Sequence, residues 1–319
     1  MWPAEAGVWP APIYLLLAAG LDMVAGQAGL LGRIPPTERI AERLADWCSR
    51  SLNPDSLVNG YVLLIGHLAL WGGLGWALDR WVAPHWQAAP LLVLLLARTL
   101  HQRETWRAMV RLGRRLDRAS EGDRHAGVRL GLTEGLRRLS DGFIADALAF
   151  LLAGFTGLLA WRGAMALAAR PGEAALVRTA GPLTRPAAQL THMVGLIPGT
   201  LSWALLRGVV GRRGRDDGPT QSAAANPAPV YPAGALSSHA DHGHALVLLP
   251  SGAMAHALSV QFRVRTDQAT LWFGPADGRA RADVVDLIAG GRLLKRAYAA
   301  GVLGLALAAG ASAAWSAAL

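Results

Sequence analysis

Apolar residues in this chain come in long runs separated by arginine-rich connections. Six runs stand out, at 8–31, 57–78, 88–100, 142–161, 188–210 and 297–319. Most approach the ~20 residues that an α-helix needs to cross ~30 Å of hydrocarbon. The pattern predicts an all-α polytopic integral membrane protein with about six transmembrane helices. Between the third and fourth runs, Val110, Leu112 and Leu116, then Val128, Leu130 and Leu132, are spaced among arginines and acids. That spacing predicts cytoplasmic amphipathic helices, an insertion over 98–139. The chain therefore divides into a membrane domain at 1–210 carrying this insertion, a flexible linker at 211–243 rich in Gly, Pro, Ala and Ser, and a segment at 244–319. That last segment combines an amphipathic or re-entrant stretch with the final span.

Composition agrees with lipid as the solvent. Of 319 residues 52% are hydrophobic, mean hydropathy is +0.28, and only 17% are charged, against about 25% in a typical soluble chain. Net charge is +9, and Lys295 is the one lysine. The arginines lie between apolar runs without the aromatic interleaving of a single-strand-binding surface, which argues against nucleic acid as a partner. The expected partner is the lipid bilayer. Segment 33–55 holds four Arg, 98–139 holds eleven, and 211–296 holds nine with Lys295. The connections between them hold Arg80 in one and Arg162, Arg170, Arg178 and Arg185 in the other. Basic loops mark the cytoplasmic side. Six spans then place the three richest loops in the cytoplasm of a bacterial inner (cell) membrane, with both termini outside. The first charge is Glu5 and the first Arg is Arg33, so the opening run is expected to stay as a span rather than leave as a signal peptide. Trp71, Trp76, Trp81 and Trp86 read as anchors at the headgroup layer.

No phosphate-binding P-loop, H-E-x-x-H or C-x-x-C pattern occurs. His239, Asp241, His242 and His244 make a dense set of metal-ligand types, but in the linker, where a solvated loop is the competing reading. The eleven arginines of 98–139 suit either lipid headgroups or a phosphate-binding surface. Carboxylates inside apolar runs are stronger pointers. An Asp at a span centre costs roughly 2.5–3.5 kcal/mol to insert and usually has a partner or a task. Asp22, Asp141 and Asp146 are such residues.

Several short segments, in order along most of the chain, resemble a known family. Leu21-Asp22 followed by Gly26 is similar to an opening Leu-Asp…Gly-Asp-Pro. Leu96-Ala97-Arg98-Thr99-Leu100 is similar to a Gly-Arg-Ser-Leu exit from a span. Leu139-Ser140-Asp141-Gly142-Phe143-Ile144-Ala145 is similar to Ser-Asp-Gly-Val-Val-Ala-Pro. Leu196-Ile197-Pro198-Gly199-Thr200-Leu201 and the stretch from Pro250 to Val260 follow. The order resembles the CobD/CbiB family of cobalamin-biosynthesis membrane proteins, the adenosylcobinamide-phosphate synthases. The resemblance implies an amide ligation dependent on ATP and Mg²⁺, joining an amino-alcohol phosphate to adenosylcobyric acid, a corrinoid. It also implies other cobalamin-biosynthesis enzymes as partners. On the matching positions it implies Asp141 as the principal metal ligand and catalytic acid group. Asp22 and Asp146 would be further metal ligands, Glu134 a substitute for a family acid, and Arg98, Arg137 and Arg138 phosphate contacts.

The departures follow one trend. The family's Gly-Asp-Pro is Gly26-Gln27-Ala28 here, its Ala-Glu-Asn is Leu136-Arg137-Arg138, and its Pro-Glu is Pro250-Ser251. Acids are lost while the apolar frame persists, and Mg²⁺ takes hard oxygen ligands that arginine cannot replace. The alternative reading is a catalytically degenerate relative. It would act as a membrane scaffold, bind a corrinoid or a partner, or regulate in the manner of the AmpE group.

Overall fold

The computed structural model describes residues 11–24, 37–100, 102–168, 181–211, 245–265, 270–275, 278–279 and 281–318. Most of the 211–243 linker, the His239, Asp241, His242 and His244 set, and the ends of the first apolar run lie outside the described residues. The protein is an all-α membrane protein. Its helices are α1 (Ala11–Val24), α2 (Thr37–Arg50), α3 (Leu57–Ala77), α4 (Ala89–Leu100), α5 (Gln102–Leu116), α6 (Glu121–Leu139), α7 (Ala145–Ala168), α8 (Arg185–Gly211), α9 (Ala245–Leu258) and α10 (Val284–Ala318). Single π-helical turns extend α3 over Leu78–Val82 and join α6 to α7 over Ser140–Ile144. The apolar stretch after the linker forms α9, with Pro250 inside it. A small antiparallel hairpin follows, β1 (Phe262–Arg265) against β2 (Thr270–Phe273), with Phe262 opposite Phe273. The sequence reading did not anticipate this hairpin.

Local rules explain the helix ends outside the apolar runs. Ser120 caps α6, its Oγ accepting the Asp123 N–H at 3.3 Å. Glu121 and Asp123 sit in the first turn of that helix and Arg137 and Arg138 in the last, each favourable to the helix dipole. Ser56 caps α3 in the same way through the Asn59 N–H.

Four helical stretches are long and apolar enough to cross a membrane: Leu57–Val82, Glu121–Ala168, Arg185–Val210 and Val284–Ala311. Four of the six expected runs fall in these stretches. The other two are shorter among the described residues, where α1 covers 14 and α4 covers 12, about 21 and 18 Å at 1.5 Å per residue.

A larger correction concerns the second stretch, which folds back on itself. The backbone leaves helical geometry at Ala153 (φ −143°, ψ 20°) and Gly154 (φ 63°, ψ −149°). Beyond it, the Arg162 guanidinium donates to Asp146, sixteen residues earlier. In a straight helix those residues would stand about 24 Å apart. A Cβ on Gly157 would lie 2.5 Å from the Ala149 carbonyl oxygen, a contact that again requires two adjacent limbs. α7 is therefore a helical hairpin. Residue 162 returns to the end of the molecule that carries Thr99, Arg137 and Arg138, instead of reaching the opposite side with Arg170, Arg178 and Arg185 as the charge pattern suggested.

Backbone groups exposed at such a reversal need partners when water is scarce. Asp79, on the π turn after α3, supplies them. Its carboxylate accepts the Phe155 N–H at 3.0 Å, the Thr156 N–H at 2.9 Å and the Thr156 hydroxyl at 2.8 Å. It is an N-cap delivered from another helix. The positive φ at residue 154 suits glycine, and the Asp79 carboxylate occupies the space where a Cβ would go. α3 lies antiparallel to the returning limb, in the close packing that small residues permit in membranes. A Cβ on Gly75 would meet the Phe155 carbonyl at 2.3 Å, and one on Gly163 would meet the Trp71 ring at 2.6 Å. Trp71 is therefore a packed core residue at 6% exposure, whereas Trp76, Trp81 and Trp86 remain exposed as the anchor reading requires.

Outside the apolar level, α5, α6 and the first half of α10 pack together. Leu287 meets the α6 backbone at Gly131, and Leu294 meets it with Met109 at Gly135. Tyr298 packs against Phe143, the rings tilted by 55° with centroids 4.4 Å apart, and meets Trp106 edge-on at 5.6 Å, fixing α10 to the start of the hairpin.

Two outcomes test the reversal. In a Cys48→Ser background, Ser120→Cys and Arg185→Cys are expected to label from the same side of sealed vesicles with a membrane-impermeant thiol reagent. Asp79→Ala strands two backbone donors and is expected to cost about 1–3 kcal/mol, seen as a lower thermal midpoint in detergent.

Candidate functional site

The hairpin builds a small polar cleft. Thr99 and Leu100 at the end of α4 face Arg137, Arg138, Asp141 and Gly142 at the join of α6 and α7. Arg162, Met165 and Ala166 come from the returning limb, and Glu42 from α2. The enclosed space is about 80 Å³, well below the ~300 Å³ of a drug-sized site. A space of this size suits a group such as a phosphate.

Each wall has a local cause. α2 lies on the returning limb through Ala41 and Ala45, small enough for close approach, which leaves Glu42 on the cleft side. The π turn at Ser140–Ile144 displaces Asp141 from the regular helical row, and such turns often occur at functional sites. The Asp141 carboxylate stands 3.9 Å from the Arg137 guanidinium. Glu134 gathers both arginines one turn earlier. Arg137 donates to its two oxygens at 2.9 Å each, and Arg138 Nε donates at 2.8 Å. Burial raises the Glu134 carboxyl, but the hydrogen bonds and charges of Arg137 and Arg138 outweigh it and hold it below the usual carboxylate range.

The sequence-derived candidates separate into two groups. Asp141, Arg137 and Arg138 line the cleft, with Glu134 behind the arginines. Arg98 is 5% exposed and lies next to Thr99 without lining the cleft. Asp22 and Asp146 do structural work. Asp22 Oδ2 accepts the Gln102 N–H at 3.0 Å and the Arg103 N–H at 3.3 Å, capping α5 from α1. The Gln102 side chain donates to the Leu100 carbonyl at 3.1 Å and the Arg138 carbonyl at 2.8 Å, so Asp22 helps fix two cleft walls at one remove. Asp146, fully buried, meets the Arg162 guanidinium, which also donates to the Thr99 carbonyl at 2.7 Å. Asp22, Asp141 and Asp146 do not come together as a ligand set. Among the described residues no three His, Cys, Asp or Glu side chains do.

Three participants were missed from the sequence. The charge pattern groups Arg162 with a far-side connection, and Asp79 stands beside a lone loop arginine, Arg80. Glu42 is one of several charges on an amphipathic helix, and nothing in its neighbours distinguishes it.

The Asp146–Arg162 pair supports the hairpin and one wall together. Arg162→Met removes a hydrogen-bonded cation from a fully buried carboxylate and is expected to cost about 3–5 kcal/mol. The double variant Arg162→Met/Asp146→Leu, apolar on both sides, is expected to recover most of that loss. Thermal unfolding of the purified full chain in detergent reads both. Comparison of this chain with protein-family models, curated proteins and solved structures gives no match.

Proposed function

We propose that this chain is a bacterial inner-membrane protein of the CobD/CbiB type, with its arginine-rich loops in the cytoplasm, that ligates an amino-alcohol phosphate to adenosylcobyric acid. One observation carries the reading. Two of the segments that resemble the family, at 96–100 and 139–145, form opposing walls of a single cleft through Thr99, Leu100, Asp141 and Gly142. Arg137 and Arg138 offer planar donors for a phosphate, and a cleft of about 80 Å³ suits such a group. The corrinoid would lie outside it, toward the lipid or a partner enzyme of the same biosynthesis.

Mg²⁺ and ATP fit the donor set in a limited way. Magnesium at such sites takes one or two carboxylates, with substrate phosphates and water completing an octahedron. Asp141 and Glu42 line the cleft and would hold it. ATP, when bound, would supply activation of the corrinoid carboxylate. The chain's own residues contribute charge and exclusion of water: Arg137 and Arg138 orient the phosphate end, and the apolar walls from Leu100, Met165 and Ala166 limit hydration.

A second reading, binding without ligation, draws on the distribution of acids. Asp22 caps a helix, Asp146 is paired with Arg162 and Glu134 with two arginines. Asp141 and Glu42 are the two acids on the lining itself, so a metal there would depend on oxygens that the substrate brings. Such a relative would serve as a corrinoid-binding or partner-binding scaffold, or in regulation.

Complementation separates the two. In a strain lacking the synthase, the wild-type chain is expected to restore cobalamin-dependent growth, and Asp141→Ala is expected to abolish it at equal membrane levels. No growth with the wild-type chain, combined with retention of a corrinoid by the purified protein, would replace ligation by binding.

A further inference from the structure

The face where α1 meets α4 has no part in the cleft. α1 and α4 run in the same direction, since Asp22 at the end of one meets Gln102 just beyond the other. Between them lies a groove of about 500 Å³, lined by Leu17, Gly20, Leu21 and Val24 of α1 and by Pro90 and Val93 of α4. Every lining side chain is apolar. From Leu17 to Val24 the helix rises about 10 Å, enough for a good part of one acyl chain.

The groove ends under cations. The Arg103 guanidinium donates to the carbonyl of Val24, itself a lining residue. On the same face of α5, Arg107 and Arg114 follow at helical spacing and are exposed, with Val110 exposed between them. Arg111, on the neighbouring row, is engaged by Glu104. The backbone donors that begin α5 are engaged by Asp22, so an anion arriving here meets guanidinium groups. An apolar slot that opens onto a row of arginines complements an amphiphile with one acyl tail in the slot and a negative head.

We propose that an anionic phospholipid binds here, one acyl chain in the α1–α4 groove and its phosphate on Arg103 and Arg107. This site is independent of the ligation reading. A zwitterionic lipid brings the same chain and phosphate but adds a cation that the arginine row disfavours, so selectivity is part of the claim. Gly20 gives the means of blocking the slot. A Cβ there meets nothing within 4 Å, so a larger side chain extends into the groove without displacing the backbone.

The test uses the full chain, stripped of lipid in detergent and offered equimolar phosphatidylglycerol and phosphatidylcholine with identical acyl chains. Native mass spectrometry reads the bound lipid. Phosphatidylglycerol is expected to be retained in excess, and glycerol 3-phosphate to leave it in place, which separates a lipid site from a bare phosphate site. Gly20→Leu is expected to remove most of the retained lipid. Arg107→Gln, at an exposed position that does not endanger folding, is expected to lower retention about fivefold. Equal retention of the two lipids, displacement by glycerol 3-phosphate, or indifference to Arg107→Gln would each overturn the proposal.

Discussion

The architecture depends on how one interruption of a helix is satisfied away from water. Without water, each unpaired N–H or C=O costs several kcal/mol, so non-helical backbone survives in a membrane protein only where other parts of the protein supply partners. At Ala153–Gly154 that partner is a carboxylate carried seventy-six residues away, on the π turn after α3. The glycines that let α3 lie against the returning limb bring Asp79 within reach. The cap and the close helix packing are thus one arrangement: a side chain at Gly75 or Gly163 would push α3 off and withdraw the cap with it.

Once the limb returns, the rest of the polar chemistry follows. Arg162 comes back to Asp146 and Thr99, α2 settles on the returning limb through Ala41 and Ala45, and Glu42 arrives beside Asp141. A straight helix of the same sequence would part Arg162 from Asp146 and leave the cleft without its third wall. The cleft is a consequence of the reversal, and its polar groups largely neutralise one another, as buried charges must.

Much of this was legible and some was not, for identifiable reasons. Long apolar runs gave the solvent and the all-α class, since hydropathy reports which medium a segment prefers. The helices of 98–139 were legible because their apolar positions recur at helical spacing between charged ones. The reversal was invisible because hydropathy has no direction: an apolar stretch that enters and returns scores like one that crosses. Loop charge then misled, since Arg162 was counted with a connection that the hairpin brings back. The local hints were weak on their own, a glycine in an apolar helix and an aspartate beside a span. Their partnership depends on tertiary packing. The small hairpin after α9 left no usable signal, since four-residue strands offer too little alternation.

Asp22, Asp141 and Asp146 were grouped by one argument, that an acid in an apolar run must have a partner or a task. The argument holds for each, yet it does not separate structural tasks from chemical ones. Asp22 has backbone donors, and Asp146 has a guanidinium. Either would be retained by a chain that catalyses nothing, because removal would strand buried partners. Their presence therefore carries no weight for the ligase reading. Asp141 differs in kind. It stands on a π turn, on the wall of the cleft, 3.9 Å from an arginine that Glu134 already engages. The weight of the chemical hypothesis accordingly falls on Asp141, with Glu42 opposite as the one further acid lining the same space.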